Sequence, residues 1–581
     1  MMSFRPDPAR MGRHDNETTH HRGASANAGA SLGARQIDAQ HGVTRRFQPA
    51  PLLAGLAVMA GVIAGLTPGA AYAKALTVCT EASPDGFDVV QFNSLVTTNA
   101  SADVIFNGLV ALDESNDKVV PALADKWDVS PDGLRYTFHL RAGVQFQKTD
   151  WFTPTRPLNA DDVVFTFARM LDANQPWHKV SGPSGFPHAQ SMNLPKLIKS
   201  IDKVDAQTVR FTLNEPNATF LPILTMGFAS IYSAEYADQL LKANRTTDLN
   251  AKPIGTGPFM LRNYQKDAVI RYDVNPTYWG TKPAFDKLIY AITPDTAVRL
   301  QKIKTGECQI ALSPKPQDVL AAKSDKKEKV SERPAFMTAF VALNTQHKPL
   351  DNPKVREAIN MAFDRDTYVK AVFSGTATPA VNPYPAGTWS YAQDVKPYAH
   401  DIAAAKKLLA DAGYPNGFAT TIWTRPTGSV LNPDPKLSAE LLQADLAKIG
   451  ITAQVKIVEW GELIRSAKQG QHDLLFMGWA GDNGDPDNFL TPQFSCASVQ
   501  SGINFARYCD ATLDKLIADG RTTNDTAKRT ADYEKAQKQI HDQALWIPLA
   551  YPTAAAILKP DVQGFTVSPF GRLNFAGVKL N

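Results

Sequence analysis

The residues best suited to chemistry lie at 477–489, in the stretch MGWAGDNGDPDNF. The apolar run at 474–476 predicts a buried strand, and the glycines that follow, Gly481 among them, allow a sharp turn or a close approach to a ligand. Asp482 would then stand at the inner end of a strand with Trp479 beside it. A carboxylate next to an aromatic ring suits an ammonium group, because the charge is paired and the ring adds attraction. The stretch predicts a binding site rather than a reaction.

Two other interpretations of this stretch stay open. Asp, Asn, Gly and Pro are also the usual residues of a solvated turn. Asp482, Asn483, Asp485 and Asp487 could form a calcium loop, but the ligand order, central glycine and closing glutamate of an EF-hand are absent. We therefore expect no metal and no cofactor at this place.

The first 73 residues are expected to be absent from the mature protein. Residues 1–46 are polar without an apolar period, which predicts a disordered leader extension. Residues 47–73 are predicted to be a signal peptide: Arg45 and Arg46 precede a short apolar run, and Ala71-Tyr-Ala73 provides a small-x-small end before Lys74. The apolar run is too short for a confident membrane span. The sequence therefore predicts an exported, periplasmic protein.

Length and charge narrow the class of protein. A chain of 581 residues predicts roughly two to four domains, and 44% hydrophobic with 20% charged residues is typical of a globular protein. Residues 1–73 hold seven Arg and four acidic residues, so 54 basic and 53 acidic residues remain without them. A net charge near +1 argues against nucleic acid as a partner.

Four cysteines remain in the mature part: Cys79, Cys308, Cys496 and Cys509. An even number in an exported protein predicts two disulfides, although four cysteines permit three connectivities. Pairing Cys496 with Cys509 would close a small loop after the central motif, and pairing Cys79 with Cys308 would tie the mature N-terminus to a distant segment. No pair has the CxxC spacing of a metal site.

Periodicity predicts scaffold elements along the whole chain. A helix is expected to open at 158–167 with Asn159 as its cap, and a hairpin at 204–213. Further along, a short helix is predicted around 513–517 and a polar one at 525–543, capped by Asn524. Predicted strands at 340–344, 420–423 and 452–458 alternate with predicted helices at 354–362, 402–412 and 436–449. This alternation predicts an α/β lobe with a mostly parallel sheet.

An exported hydrolase is the main alternative from another functional class. It would need a nucleophile with a base, paired acids or a metal site. The sequence contains neither GxSxG nor HExxH, and His14, His20, His21 and His41 lie in the predicted leader. A binding protein is therefore favoured over an enzyme.

Several long motifs together resemble a known family. They are KWDVSPDG at 126–133, YTFHLRAG at 136–143, LNADDVVF at 158–165, IGTGP at 254–258 and YWG at 278–280. In this combination they look like the extracytoplasmic peptide-binding proteins of ABC transporters. The stretch at 477–489, with EWG at 459–461 and FSC at 494–496, is similar to the dipeptide-binding members and their haem-binding and glutathione-binding relatives.

The resemblance implies an α/β fold of two lobes, the Venus-flytrap arrangement of periplasmic binding proteins, with an extra subdomain inserted in the first lobe. The first lobe would comprise residues 74–107, 255–335 and 553–581, the inserted subdomain residues 108–254, and the second lobe residues 336–552. Ligands of such proteins lie between lobes that close by a hinge motion.

The resemblance also implies the site residues. In the dipeptide-binding relatives, the first aspartate of the Gly-Asp-Asn-Gly-Asp motif holds the ligand's ammonium group, and that aspartate is Asp482 here. Trp460 and Trp479 would help to line the pocket, although plain core packing is the alternative for both. A buried ammonium group needs such a carboxylate, because an unpaired ion away from water costs several kcal/mol.

One departure concerns the ligand's other end. Relatives bind the peptide carboxylate with the Arg of an Arg-Pro-Tyr-Asn-Pro segment, whereas here Ser429 stands at that place and Leu431 replaces the Tyr. Arg425 lies four residues upstream, and it could reach the cleft or remain a solvated loop residue. Loss of the Arg removes charge-assisted hydrogen bonds worth about 1.5–3 kcal/mol each. The sequence therefore suggests a ligand whose far end is neutral, bulky, or bound through Ser429 and water.

The function that the resemblance implies is that of a monomeric periplasmic receptor. It would capture a dipeptide or a peptide-like, amine-bearing solute and deliver it to an inner-membrane ABC permease. A haem or glutathione carrier of the same fold is the alternative within the family.

Overall fold

The structure is a computed structural model that describes residues 74–92, 94–115, 118–180, 185–501 and 503–581. The predicted leader extension and signal peptide lie outside the described residues. Among the residues that are described, no helix is both long and apolar enough to cross a membrane.

The described residues form 21 strands. In chain order they are β1 (Ala75–Thr80), β2 (Val110–Asp113), β3 (Lys118–Pro121), β4 (Ala124–Val129), β5 (Arg135–Leu140), β6 (Ile198–Asp205), β7 (Thr208–Leu213), β8 (Phe259–Gln265), β9 (Val269–Val274), β10 (Lys287–Ile292), β11 (Ile310–Leu312), β12 (Lys329–Pro334), β13 (Met337–Leu343), β14 (Thr378–Pro379), β15 (Ala419–Thr424), β16 (Thr452–Ile457), β17 (Leu474–Ala480), β18 (Trp546–Tyr551), β19 (Thr553–Leu558), β20 (Val562–Gln563) and β21 (Lys579–Leu580).

Eighteen α-helices accompany the strands in the described part of the chain. They are α1 (Leu95–Ile105), α2 (Ala160–Leu171), α3 (Pro187–Ser191), α4 (Leu194–Leu197), α5 (Phe220–Ile223), α6 (Ala234–Lys242), α7 (Asp248–Ala251), α8 (Thr296–Thr305), α9 (Pro316–Asp325), α10 (Pro353–Ala362), α11 (Arg365–Phe373), α12 (Ile402–Asp411), α13 (Pro435–Lys448), α14 (Trp460–Lys468), α15 (Asp487–Phe494), α16 (Cys496–Ser501), α17 (Ala511–Thr522) and α18 (Thr526–Asp542).

Lobe I is built on a seven-stranded sheet with the order β12-β19-β11-β1-β10-β9-β8. Its central strand β1 runs parallel to β10 and β11, and the remaining pairs are antiparallel. The strands come from the beginning, the middle and the end of the described chain. The sheet therefore ties the two ends of the chain to one core.

Lobe II is built on a six-stranded sheet with the order β14-β18-β13-β17-β15-β16. Strand β13, buried along its whole length, is its apolar centre. The prediction of a mostly parallel sheet is wrong: β15 is parallel to β16 and β17, but β13 is antiparallel to β17 and β18, and β14 is antiparallel to β18. The reason is that β13 carries the chain into the lobe from lobe I while β18 carries it back.

The inserted subdomain contains a four-stranded antiparallel sheet, β4-β5-β7-β6, with α2 packed against it. Asn159 caps α2 as predicted: its side chain accepts the Asp161 N–H (2.9 Å), and the Asp162 carboxylate accepts the Asn159 N–H (2.9 Å). The buried apolar residues of the subdomain form one cluster with those of lobe I. The subdomain is thus packed onto lobe I through a shared core.

The chain passes between the two large sheets at two neighbouring places. One lies between Pro334, which ends β12, and Met337, which begins β13; the other lies between β18 and β19 at Pro552. The Ala335 N–H donates to the Pro552 oxygen (3.0 Å), so the two connections are hydrogen-bonded to each other. The exact bounds of the lobes and of the inserted subdomain stay predictions.

Both disulfides are present. Cys79 in β1 is bonded to Cys308, and Cys496 at the start of α16 is bonded to Cys509, with Cα–Cα distances of 5.8 and 4.6 Å. The structure thus chooses one of the three connectivities that the sequence left open. Each bond restricts the unfolded chain, an effect worth about 2–4 kcal/mol.

Two helix predictions need correction. The helix predicted around 513–517 is longer and extends from Ala511 to Thr522, because the Asp510 carboxylate accepts the Thr512 and Leu513 N–H groups and starts the helix earlier. The cap of α18 is Asp525 rather than Asn524, since Asp525 accepts the Ala527 and Lys528 N–H groups. Asp and Asn are both good caps, so adjacent candidates cannot be separated by residue type alone.

Candidate functional site

Strand β17 carries the central motif to the edge of lobe II that faces lobe I. The strand is longer than the predicted apolar run and includes Gly478 and Trp479. Gly478 therefore does not turn the chain; it leaves room for Leu431, whose side chain would lie 2.9 Å from a Cβ at this position. The turn begins after Ala480, and Asp482 is the second residue beyond the strand.

The loop after β17 is buried and is not a solvated turn. Asn483, Asp485 and Asp487 are 2%, 5% and 8% exposed. Both oxygens of Asp485 accept hydrogen bonds from Arg529 (2.8 and 2.9 Å), and Asp487 Oδ1 accepts one from the Thr491 hydroxyl (2.6 Å). In the part of the chain that the structure describes, no group of three or more His, Cys, Asp or Glu could hold a metal ion.

Asn488 holds Asp482 and Trp479 together. Its Oδ1 accepts the Asp482 N–H (3.1 Å) and the Trp479 Nε1–H (3.3 Å). The Asp482 side chain is half-buried and forms no ion pair with any other described residue. Burial raises the pKa of Asp482, and the nearby His188, Asn488 and Arg572 oppose this rise. Asp482 is therefore a partly desolvated carboxylate without a bonded cation.

Two basic residues from the lobe I side act on Asp482 electrostatically. His188 in α3 belongs to the inserted subdomain, is half-buried and stacks on Phe228, with ring centroids 5.3 Å apart. Arg572 donates two hydrogen bonds to Asp103 (2.9 and 2.6 Å). Burial lowers the pKa of His188, whereas Asp103 raises the pKa of Arg572 although burial opposes it.

Sequence reasoning missed both of these basic residues. Neither lies in a recognisable motif, and each is distant from Asp482 in the sequence. The only available signal was their residue type, which many surface positions share. Packing of the inserted subdomain and of the C-terminal segment onto lobe I brings them to the cleft.

The two sides of the cleft touch in this structure. The Ala218 N–H of the inserted subdomain donates to the Arg521 oxygen of α17 (2.8 Å). Between the two sides lies a cavity of about 80 Å³, which we call the interlobe cavity. Its lining includes Asn217 and Thr219 from one side and Asp487, Asn488 and Arg521 from the other. Asn488 therefore borders the cavity and Asp482 at once.

Gly481 makes a close approach to the connection between the lobes. Its N–H donates to the Phe336 oxygen (2.8 Å), and a Cβ at this position would lie 2.2 Å from Phe336 Cδ1 and 2.8 Å from Phe489 Cε2. Phe336 connects β12 to β13 and packs edge-on against Phe489, with centroids 5.0 Å apart. Gly481 is thus needed for packing against Phe336.

Replacing Gly481 with alanine is expected to reduce stability by about 1–3 kcal/mol, because the added methyl group must displace Phe336. The same displacement would move Asp482, so ligand affinity should fall by about tenfold. Thermal unfolding and calorimetric titration of the variant check both effects. Gly461→Ala is the matched control, since nothing lies within 4 Å of the added carbon. Unchanged stability and affinity of Gly481→Ala would contradict the expectation.

Trp460 and Arg425 lie together at the surface of lobe II. Trp460 begins α14 and is 45% exposed, so core packing does not explain it. The Arg425 guanidinium lies 5.0 Å from the centre of the Trp460 ring and donates to the Thr427 and Gly428 oxygens (2.6 and 3.2 Å). Burial lowers the pKa of Arg425. The structure joins these two residues in a cation–π pair.

Ser429 takes part in a local turn. Its N–H donates to the Asn432 oxygen (2.9 Å), and its own oxygen and hydroxyl both accept the Asn432 N–H (3.1 and 3.2 Å). The hydroxyl hydrogen remains available for another acceptor. A single hydroxyl cannot supply the two parallel donors of an arginine.

Comparison with known proteins identifies the class. Two α/β lobes joined by short connections, with an unpaired carboxylate between them, define a two-lobed solute-binding protein. Residues 118–501 match the family described as bacterial extracellular solute-binding proteins, family 5 Middle. The chain belongs to this family, so the predicted two-lobed α/β fold and the family resemblance are confirmed.

Three relatives show which proteins the chain resembles. The probable di/tripeptide-binding protein 5 of Pseudomonas aeruginosa is 63% identical over 88% of this chain and 96% of its own length. The haem-binding protein A of Haemophilus influenzae is 42% identical over 87% and 92%. The solved dipeptide-binding protein of Pseudoalteromonas sp. SM9913, in complex with Met-Leu, is 34% identical with a TM-score of 0.80, covering 87% of this chain and 100% of that one.

Proposed function

We propose that the protein captures a dipeptide, a tripeptide or a peptide-like amine-bearing solute between its two lobes. The protein is a monomer in the periplasm, and it then delivers this solute to an inner-membrane ABC permease. The relatives named as di/tripeptide-binding proteins, and the solved relative with bound Met-Leu, support this ligand class.

The observation that carries the proposal is the state of Asp482. It is a partly desolvated carboxylate in the cleft, it forms no ion pair with the described residues, and burial raises its pKa. Such a carboxylate is stabilised by a bound cation, and an ammonium group can donate to it while it packs against an aromatic ring. Trp479 provides that ring, because Asn488 holds both residues in place.

The other predicted contacts lie around this centre. We propose that Trp460 and Arg425 form one rim of the ligand site and that Ser429 offers its hydroxyl hydrogen there. Gly481 contributes indirectly, since it positions Asp482 through its contact with Phe336. Closure of the lobes around the ligand would create the surface that the permease recognises, by a shift in population between open and closed states.

Other functions make different demands on the cleft. Glutathione bears an amine and two carboxylates, so it fits the same chemistry as a peptide. Haem is the alternative that the name of the 42% identical relative supports, and His188 is a cleft residue of the type that ligates iron. A Soret band after haem addition, lost in His188→Ala, would support it. The family is one of binding proteins, which favours binding over the hydrolase alternative.

Native mass spectrometry of the purified protein, followed by denaturation, tests the proposed function. Release of peptides, chemically unchanged, is the expected result. A bound compound without an amine would contradict the proposal, and conversion of an added peptide would support the hydrolase alternative instead. If the protein is purified empty, calorimetric titration with Met-Leu decides whether a dipeptide binds.

Ligand affinity is expected to fall in acid. An ammonium group binds the ionised form of Asp482, so binding is present above the pKa of Asp482 and lost as pH falls through it. Because burial raises this pKa, the loss begins at a higher pH than for an ordinary aspartate. Protonated His188 would compete with the ligand's ammonium group for Asp482. Arg572 also carries a positive charge near Asp482, but Asp103 already pairs that charge. Titration with Met-Leu from neutral pH to about pH 4.5 measures the effect.

His188→Phe is the informative variant for this pH dependence. It keeps an aromatic ring on Phe228 but cannot be protonated. We expect the acid loss to move to lower pH in this variant, since only the titration of Asp482 remains. Affinity that is constant over the whole range in the original protein would contradict the expectation.

A further inference from the structure

Lys74, which directly precedes the central strand β1, is held by four hydrogen bonds. Its N–H donates to Asp286 Oδ2 (2.9 Å), and its oxygen accepts the N–H groups of Asp286 and Lys287 (2.8 and 3.2 Å). Its side-chain ammonium group donates to the Leu580 oxygen (3.2 Å). Residues at the ends of a domain are usually poorly ordered unless such contacts tie them down.

The sequence predicts that the chain is cut directly before this residue. Ala71-Tyr-Ala73 is the small-x-small end of the predicted signal peptide. Hydrolysis would break the bond between the Ala73 carbonyl carbon and the Lys74 nitrogen. The oxygen of water goes to that carbon and both its hydrogens go to the nitrogen, which leaves a carboxylate on Ala73 and an α-ammonium group on Lys74. The nitrogen that now donates to Asp286 would thus become positively charged.

Asp286 is placed to receive this charge. It directly precedes strand β10, and the parallel pairing of Ala75 with Lys287 fixes it beside Lys74. Within the part of the chain that the structure describes, Asp286 forms no ion pair. Its Oδ2 already lies 2.9 Å from the Lys74 nitrogen, which is within the range of a charge-assisted hydrogen bond.

The nearby side-chain cations do not occupy Asp286. The side chain of Lys74 reaches the Leu580 oxygen instead, and Lys287 forms no ion pair with any described residue. A plain hydrogen bond between a main-chain N–H and an exposed carboxylate is the alternative interpretation of the contact. The two interpretations differ in whether the contact gains a charge when the chain is cut.

We propose that Asp286 binds the α-ammonium group that signal-peptide cleavage creates on Lys74. The new chain end then joins the sheet of lobe I, bound to β10 through its main chain and to the C-terminal segment through its side chain. The uncut chain has only a neutral amide at this place, so the ion pair is specific to the mature protein. Both residues are exposed, so the pair adds little to stability, and its effect is to hold the end of β1.

Acetylation of the exported protein tests the proposal. The full chain is expressed with its own leader and recovered from the periplasm, and its intact mass should correspond to a chain that begins at Lys74. An amine beside a carboxylate stays protonated, and only the neutral amine attacks acetic anhydride. Near neutral pH, limiting acetic anhydride should therefore acetylate the α-amine about threefold or more faster in Asp286→Asn than in the original protein. Tandem mass spectrometry separates the α-amine from the side-chain amine of Lys74.

Two further variants control this comparison. Asp325→Asn removes another exposed carboxylate of lobe I, which pairs with Lys327 (3.3 Å), and it should react like the original protein. A glycine inserted between Ala73 and Lys74 moves the α-amine away from Asp286, so this amine should react as fast as in Asp286→Asn. The insertion keeps Asp286 and therefore also serves if Asp286→Asn does not fold.

Each failure has a defined meaning. A mature chain that begins at another residue overturns the assignment of the cut, and equal rates in the original protein, Asp286→Asn and the insertion variant overturn the role of Asp286. Neither result affects the proposed function, because Lys74 and Asp286 do not belong to the proposed ligand site. Met-Leu should bind all of these variants with the affinity of the original protein.

Discussion

Replacing Asp482 with asparagine is expected to weaken Met-Leu binding by about 100-fold or more. The ligand's ammonium group would lose its counter-ion in a cleft closed to water, and removal of one partner from a buried charge pair costs about 2–5 kcal/mol. Asparagine has nearly the same shape, so the Asn488 hydrogen bond to the main chain at 482 should persist. The loss would therefore report the charge of Asp482 rather than its volume.

Calorimetric titration with Met-Leu and with N-acetyl-Met-Leu measures this effect. The blocked peptide has no ammonium group, so it should bind weakly to the original protein and lose little more in the variant. Asp411→Asn, in an exposed ion pair with Lys407 on α12, is the control for removal of a surface carboxylate. Undiminished Met-Leu affinity in Asp482→Asn would show that the ammonium group binds elsewhere.

Thermal unfolding separates this loss from misfolding. Burial raises the pKa of Asp482, so the folded protein binds a proton at this site more readily than the unfolded chain. The charged side chain therefore opposes folding above its unfolded pKa, and its contribution becomes more favourable as pH falls. Asparagine removes the charge, and the ligand-free variant should unfold at a temperature no lower than the original protein.

The second large effect is on stability, at the ion pair between Asp88 and Arg169. Both residues are fully buried, and Arg169 donates to both oxygens of Asp88, with Nη1–Oδ1 at 2.9 Å. The pair joins the first segment of lobe I to α2 of the inserted subdomain. Arg169→Met is expected to lower the free energy of unfolding by about 3–5 kcal/mol, because Asp88 would remain as an uncompensated buried charge.

Urea unfolding measures this loss. The double variant Asp88→Asn, Arg169→Met should recover much of it, since no buried charge is then left alone. Arg262→Met is the matched control, because its partner Asp150 is largely exposed and surface ion pairs contribute little. If Arg169→Met lost no more stability than Arg262→Met, the buried pair would not be what holds the subdomain to lobe I.

The charged groups behind these two predictions differ in whether they are paired within the protein. The Asp88–Arg169 pair is complete within the protein, and so is the Asp485–Arg529 pair. Asp482 is a charged group of the cleft that forms no such pair with the described residues. The two buried pairs thus satisfy their charges within the protein, whereas the charge of Asp482, which we assign to the ligand, is left for the ligand to pair.

Much of the scaffold could be predicted from local sequence. The cap of α2 is a local signal, because Asn159 and Asp162 lie within one helical turn and satisfy each other's N–H groups. The strand directions of lobe II could not be predicted in this way. Strand β17 lies between β13 and β15, antiparallel to the first and parallel to the second, and this placement depends on where the chain crosses between the lobes, which no local period records.

The candidate site, too, could be predicted from local sequence only in part. The motif at 477–489 by itself predicted that Asp482 and Trp479 lie close together, because a strand followed by a glycine-rich loop places neighbouring residues at one strand end. Tertiary structure alone decided that Asp485 and Asp487 are buried, that Phe336 requires Gly481, and that His188 and Arg572 lie near Asp482. The physical reason is that burial and charge pairing depend on contacts between segments distant in sequence, which form only when lobe I, the inserted subdomain and lobe II pack together.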